Sequence, residues 1–580
     1  MAAKTIWIDG QEYSFEQTVT ILAAAKEHGI FIPTFCYLAE CTPTGSCRMC
    51  VVEVEGLPRP VPACSTAIKE GMKIHTNTPK IRRIRKTMLE LLIANHPMDC
   101  LYCVRNGDCD LQEQARIYGV RDHRFWGAKR NNPMDVTSRA LVRDPNKCIL
   151  CGRCVKVCDE IQSVHAIDFT KRGFESIVAS AFNKPIHEST CVLCGQCVRV
   201  CPTGALKEHS AQAEVVDVLV HGELYPVVQV APSISVTIGE AFGLPPGQDI
   251  TPKLVTALRR LGFKAVFDTV FGADLTIMEE ASELVRRITN KETLPMISTC
   301  SPGWIKFMEH EFPDLIPHMS TCKSPMSMQG AIIKSFWAKQ KNLDPKKIYQ
   351  VAIMPCSAKK FEAERPEMVN DGLQNTDAVL TTRELIRMLN SAGLDLTRLP
   401  DSEYDDPLGE STGAGKIFGA TGGVMEAALR TAYWLVNKKN PPQIEFESVR
   451  GLEGIKKASI EVAPGLVVNC VATSGLKNAR KICDEVRDGN PNKYHFIEIM
   501  ACPGGCINGG GQPRGVDKTA IQKRAAALYQ LDGQVYKVRF SHENQSVKTL
   551  YDTYLKEIGG HEAHHLLHTK YYPRTEGEME

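Results

Sequence analysis

The stretch Glu498–Pro513, EIMACPGGCINGGGQP, decides how this chain is read. Two cysteines, Cys502 and Cys506, are separated by three residues in a run that holds five glycines. Just upstream, Phe496-Ile497-Glu498-Ile499-Met500 has the composition of a buried strand. Glycines after a strand leave the backbone bare, so it can approach a bulky inorganic ligand closely. The bland alternative is a flexible loop with two free thiols, and the remaining cysteines decide between the two.

There are 23 cysteines among 580 residues. No apolar run has membrane-spanning length, and neither a signal-peptide hydrophobic region nor a twin-arginine signal follows Met1, so a cytoplasmic chain is expected. In that compartment thiols stay reduced, and C-x-x-C spacing favours metal ligation over disulfides. A net charge of +2, from 69 basic and 67 acidic residues, gives no electrostatic reason for nucleic acid or an anionic membrane as partner. The length implies several domains. Cys41, Cys322, Cys470 and Cys483 fit no ligand spacing and are expected to be core thiols.

Residues 1–80 open with a hairpin pattern around Asp9-Gly10, and a helix is expected over Thr20–His28. Cys36, Cys47, Cys50 and Cys64 follow, an isolated cysteine, a close pair and a distant fourth. This is the general scheme of a [2Fe–2S] ferredoxin of the β-grasp kind, although the first gap exceeds the plant-type spacing. A structural zinc site is the alternative. Residues 81–125 carry a basic amphipathic helix, Ile81–Ala94, and then HPMDCLYCVRNGDCDLQ. There His96, Cys100, Cys103 and Cys109 offer one imidazole and three thiolates, a set that spacing alone would also allow for zinc. Residues 126–145 read as a linker. Within the 126–210 segment, two C-x2-C-x2-C-x3-C runs follow the linker, the signature of a two-cluster [4Fe–4S] ferredoxin. In that scheme the fourth cysteine of each run serves the other cluster. Cys148, Cys151, Cys154 and Cys201 then hold one, and Cys191, Cys194, Cys197 and Cys158 the other. Four clusters in about 200 residues make a wire with no acid–base pair and no open metal position.

From Tyr225 the pattern alternates. PVVQVAPS, AVFDTVFG, LPMISTC and YQVAIMPC read as strands, and Thr251–Leu261 and Leu275–Ile288 as helices. This predicts an α/β domain over 211–580 with largely parallel sheets. Three of the predicted strands end in a cysteine, namely Cys300, Cys356 and Cys502, where chemistry gathers in such sheets.

These motifs resemble known families. HPMDC-x-x-C-x5-C-DLQ is similar to the large iron–sulfur subunit of respiratory NADH dehydrogenase, where the histidine and three cysteines bind a [4Fe–4S] cluster. STCSPGW (298–304), MPCSAKKFEAERPE (354–367) and MACPGGCINGGGQP (500–513) resemble the active-site segments of [FeFe]-hydrogenases, as do FGATGGVMEAALR and AHHLLHTKYYPR. The resemblance implies one [2Fe–2S] and three accessory [4Fe–4S] clusters, and an H-cluster. The H-cluster is a [4Fe–4S] cube on Cys356, Cys502, Cys506 and a cysteine of the first segment. Cys506 bridges the cube to a di-iron subsite with CO, cyanide and an amine-bearing dithiolate.

The resemblance also implies a proton relay through Glu280, Ser320 and Glu283, a hydrogen bond from Lys359 to a diatomic ligand, and packing of Met354 and Met500 on the di-iron unit. Without it, Glu280 and Glu283 read as one acidic helix face and the methionines as core. The family shows two adjacent cysteines where this chain has Cys300-Ser301. Strict register puts Ser301 in the ligand slot and Cys300 in the relay slot. The preference of iron–sulfur clusters for thiolate favours Cys300 as the ligand after a small backbone shift.

The implied activity is reversible oxidation of H2, with electrons passed to ferredoxin or to an FMN- and NAD(P)-binding flavoprotein partner, with a small [2Fe–2S] subunit, in a complex of the electron-bifurcating kind. The rival readings are a non-catalytic electron-transfer subunit, a hydrogen sensor, or an iron–sulfur assembly relative. Two further motifs read as decoys. His561-Glu562-Ala563-His564-His565 matches H-E-x-x-H with no third ligand in view, and Gly413–Gly423 reads as a close turn beside the cluster.

Overall fold

The computed structural model describes residues 3–121, 124–443 and 445–574. At the amino end, strands Lys4–Ile8 and Gln11–Phe15 form the expected hairpin. Asp9 and Gly10 both take positive φ, at 49° and 87°, as a type I′ turn requires. Together with Lys73–His75, Val51–Val54 and Val61–Pro62 they make a five-stranded sheet. The predicted first helix runs Ile21–Glu27, with Thr20 accepting from the Ala23 amide as N-cap. The basic helix spans Pro79–Ala94, begun by a Thr78 cap and a proline in its first turn.

The stretch expected as linker ends in structure. Leu141–Arg143 pairs antiparallel with Leu206–Glu208 and all three of its residues are buried. Three residues are too few to show a period, so the strand was illegible. Between these two strands the cysteine runs fold as a repeat. Leu150 and Gly152 have φ of 53° and 76°, and Leu193 and Gly195 have 58° and 71°. Each run thus turns twice through the left-handed region before its short helix.

The carboxyl-terminal region holds two four-stranded sheets. One is wholly parallel, in the order Ala265–Asp268, Tyr225–Val230, Ile348–Met354, Ala378–Thr381. The other aligns Met296–Ile297, Phe496–Met500 and Leu466–Ser474 in parallel and adds Ile455–Ala463 antiparallel at the edge. Helix Thr251–Leu261 has its predicted bounds. The strand read over AVFDTVFG stops at Asp268, because the Asp268 carboxylate accepts from the Val270 amide at 3.1 Å and starts the helix Thr269–Thr289. The expected LPMISTC strand pairs only at Met296–Ile297. Gly413–Gly423 forms the helical turns Gly413–Lys416 and Ile417–Gly419 rather than one turn.

Among the described residues no helix is long and apolar enough to cross a membrane. Cys41, Cys322, Cys470 and Cys483 are all buried, as expected of core thiols.

Candidate functional site

Strand ends bring the carboxyl-terminal cysteines together. Cys356 follows the central strand of the parallel sheet, while Cys300 and Cys502 follow neighbouring parallel strands of the other sheet. One cavity is lined by Cys300, Ser301, Cys356, Cys502, Cys506, Lys359 and Met500, with Cys194 of the second ferredoxin run at its edge. Gly505 and Gly509 of the opening stretch line this cavity, and the glycines there also pack chain against chain. A Cβ on Gly509 would meet the Pro355 oxygen at 2.2 Å, and one on Gly510 would meet the Cys194 oxygen at 2.1 Å. Bare backbone here clamps three chain segments against one another, and the cavity follows from that clamp.

The thiols of Cys356, Cys502 and Cys506 are mutual electrostatic neighbours. Burial first, then Cys502, pushes the Cys506 thiol up to about 12, while Lys359 opposes the rise. Four thiols and one hydroxyl round this cavity offer a donor set for an iron–sulfur cube, whose iron would replace the thiol protons.

Cys300 and Ser301 have different surroundings. Cys300 packs against the apolar cluster that includes Ile277 and Met500, and its strongest charged neighbour is Glu280. Ser301 caps the helix Pro302–Glu311, and its Oγ accepts from the Ala501 amide at 3.2 Å, next to Cys502. That bond and the proline in the first turn hold Ser301 at the head of its helix, and Cys300 and Ser301 both line the cavity.

Behind Cys300 lies a buried chain of polar groups. Glu280 is fully buried, and its Oε2 has no hydrogen-bond partner. Burial, then the charges of Glu283 and Glu498, push its carboxyl up to about 8, with Ser320 opposing. Ser320 Oγ donates to Glu283 Oε2 at 2.9 Å. Glu283 forms an ion pair with Arg287 at 2.7 Å, and this charge and its hydrogen bonds outweigh burial and hold it below the usual range. Lys359 Nζ donates to Ser324 Oγ and to Glu362 Oε2, both at 2.7 Å. Met500 lines the cavity, whereas Met354 is buried at its strand end among the apolar core.

In the amino-terminal region the first set and the two ferredoxin sets also come together. The thiols of the first set contact one another at hydrogen-bond range in the order Cys47, Cys36, Cys64, Cys50. His96 Nδ1 bonds the Pro97 oxygen at 2.8 Å, and its Nε2 is buried without a partner. A fixed ring with one free nitrogen is how a metal-binding histidine is set. One cavity is lined by Cys148, Cys151, Cys154 and Cys201, and a second by Cys158, Cys191, Cys194 and Cys197, the pairing the repeat predicted.

These sites are continuous. Cys36, Cys47, Cys109 and Cys151 share one apolar cluster, and Cys154, Cys158, Cys191, Cys197 and Cys356 share another. Cys194 and Cys502 are electrostatic neighbours. Gln196 Nε2 donates to the Asn508 oxygen at 3.1 Å and Ser357 Oγ to the Leu193 oxygen at 2.8 Å, so the last ferredoxin run is bonded to two of the strand-end loops.

Sequence reasoning missed Arg287, Glu362, Thr321, His568 and Cys194's second contact. The first two stand at helical spacing from Glu283 and Lys359 and could have been read. The others come from distant segments. Of the H-E-x-x-H decoy, His561 is exposed and His565 turns to Asp371 at 3.2 Å.

Family models match five segments of the chain. They are the 2Fe-2S iron-sulfur cluster binding domain at 3–79, the NADH-ubiquinone oxidoreductase-G iron-sulfur binding region at 85–124 and the 4Fe-4S dicluster domain at 147–205. The C-terminal domain of the iron only hydrogenase large subunit matches 225–510, and the iron hydrogenase small subunit matches 518–574. The chain is 44% identical to the NADP-reducing hydrogenase subunit HndD of Solidesulfovibrio fructosivorans, over 99% of this chain and 100% of that one. It is 42% identical to iron hydrogenase 1 of Clostridium pasteurianum, over 98% and 100%. The solved structure of apo [FeFe]-hydrogenase HydA1 from Chlamydomonas reinhardtii matches with a TM-score of 0.57 and 44% identity, covering 62% of this chain and 98% of that one.

Proposed function

This chain belongs to the [FeFe]-hydrogenases, and from that premise we propose which of its residues carry the interconversion of H2 with protons and electrons. The observation that carries the assignment is the convergence of Cys356, Cys502 and Cys506 with Cys300-Ser301 on one cavity that Cys194 also reaches.

Cys356, Cys502, Cys506 and the Ser301 oxygen would hold the cube, with Cys506 also joining the di-iron unit. When bound, that cofactor supplies the Lewis-acidic iron on which H2 is split or made. The protein's own groups do the rest. Cys300 passes protons between the site and Glu280, whose raised affinity for a proton lets it exchange near neutral pH. Ser320 links Glu280 to Glu283. Lys359 has three donors, and two are engaged by Ser324 and Glu362, which leaves one for a diatomic ligand. Met500 and the apolar wall keep water out.

Four accessory clusters would supply the electron path: two held by the ferredoxin cysteines, of which Cys194 lies beside Cys502, one by His96, Cys100, Cys103 and Cys109, and the [2Fe–2S] cluster by Cys36, Cys47, Cys50 and Cys64. The NADP-reducing activity in the name of one relative supports an FMN- and NAD(P)-binding flavoprotein partner with a small [2Fe–2S] subunit, besides ferredoxin. Large exposed apolar side chains on the amino-terminal region, Leu101 at 86%, Tyr102 at 91% and Phe182 at 96%, also support a partner there. Its 23 cysteines are all unpaired, which fits work in the cytoplasm. Reduction of a viologen by H2 with the anaerobically matured chain tests this reading. A chain with full iron content that neither consumes nor evolves H2 would refute it.

A further inference from the structure

Glu283 is the last carboxylate of the buried chain, and its two oxygens face different surroundings. Oε1 is held by Arg287, through Nε at 3.1 Å and Nη2 at 2.7 Å. The remaining guanidinium donors go to the backbone oxygens of Thr293, Pro317, His318 and Met319. An arginine cannot give up its proton in a protein, and a guanidinium with its donors occupied has nothing to receive one with. That side of Glu283 is a clamp.

Oε2 faces hydroxyls. It accepts from Ser320 Oγ at 2.9 Å, on the side of the active site, and from Thr321 Oγ1 at 3.3 Å. Thr321 Oγ1 is in turn 2.8 Å from His568 Nδ1. His568 Nε2 lies 3.0 Å from Glu279 Oε2, which fixes the ring with Nδ1 toward Thr321. The tail that carries His568 is bonded to the same loop, since the Thr569 amide donates to the Thr321 oxygen at 2.8 Å. His568 stacks under His564, which is exposed, with ring centroids 4.2 Å apart. One hydroxyl therefore bridges the last buried carboxylate to an ionisable ring that lies directly beneath the exposed His564.

We propose that Thr321 and His568 form the outer end of the proton path, carrying protons between Glu283 and solvent. A proton on Glu283 moves to Thr321 Oγ1 as the hydroxyl's own proton moves to His568 Nδ1, and the imidazolium then gives up its Nε2 proton, which water takes when the bond to Glu279 opens. Reversal supplies protons for H2 evolution. The groups facing His568 are Glu279 and Glu283 of one helix, with Arg286 near the His564 end, Tyr551 through its bond to Glu279, Cys322 of the loop and His564 of its own helix. This inference rests on the hydrogenase reading, and it adds an exit that reading does not specify.

The test uses the full matured chain with Thr321→Val, His568→Gln and Thr321→Ser. Thr321→Val and His568→Gln are expected to slow H2 oxidation at least about tenfold and to change its pH profile, and Thr321→Ser to restore it. Proton uptake after a rapid pH step, read at the infrared bands of the buried carboxyls, should slow by a similar factor in the first two variants. Free imidazole should partly rescue a His568→Gly chain, a result that a merely structural role for the ring would not give. Variants that match the parent in turnover, pH profile and carboxyl relaxation would overturn the proposal. A parent chain with no H2 turnover would instead overturn the hydrogenase reading, so the two failures are distinct.

Discussion

The amino-terminal wire and the carboxyl-terminal catalytic region use cysteine in opposite ways. In the wire, ligand cysteines are part of the core itself. Cys36, Cys47, Cys109 and Cys151 sit in one apolar cluster, and seven cysteines, including Cys356, sit in or against another. In the catalytic region the cores are aliphatic and aromatic, built on two sheets, and the ligands are placed at strand ends after the core is complete. The first arrangement is expected to make metal a part of folding, and the second to form a site that metal then fills.

Removing iron should therefore break the two regions unequally. In chain produced without iron, limited proteolysis should cut freely within the first 210 residues while 225–574 survives as a fragment, and all turnover should be lost. Equal digestion of both regions would show that the catalytic core also needs its cluster to fold.

Next in size is Glu280→Gln, which keeps the packing and removes the proton. Turnover should fall about 10²- to 10⁴-fold with the accessory clusters unchanged in their spectra. The same variant reports on stability. Glu280 binds its proton more tightly folded than unfolded, so its contribution is present below the ordinary carboxylate value of 4.5 and is lost as pH rises through about 8. The parent should lose denaturant resistance between those values, and Glu280→Gln should lose less.

The wire was legible because each ligand set lies within a short stretch, so spacing encodes geometry. The catalytic site was only partly legible. Cys356, Cys502 and Cys506 stand after apolar runs that read as strands, and strand ends are where such sheets do chemistry. The bonds of Thr321, His568 and Glu498 were not legible, because they join segments tens to hundreds of residues apart. Glu498 shows the difficulty. It stands inside an apolar strand, and only the fold reveals that it caps the Gly422 and Met425 amides.

Ser301→Cys has the smallest expected effect and sharpens the comparison at one ligand. If Ser301 holds the cube, replacing a hard oxygen donor by thiolate should raise the potential of that cluster, seen by redox titration, without changing iron content. If Cys300 is the ligand, the potential should not move.

The central claim is that the cavity between the two sheets holds the H2-converting cofactor, with Cys506 at its bridge. Infrared spectroscopy of the anaerobically matured chain tests it most directly. The account predicts stretching bands of metal-bound CO and cyanide that respond to H2 in the parent and are absent in Cys506→Ala, whose accessory cluster signals persist. A parent chain without those bands, or bands unchanged in Cys506→Ala, would contradict it.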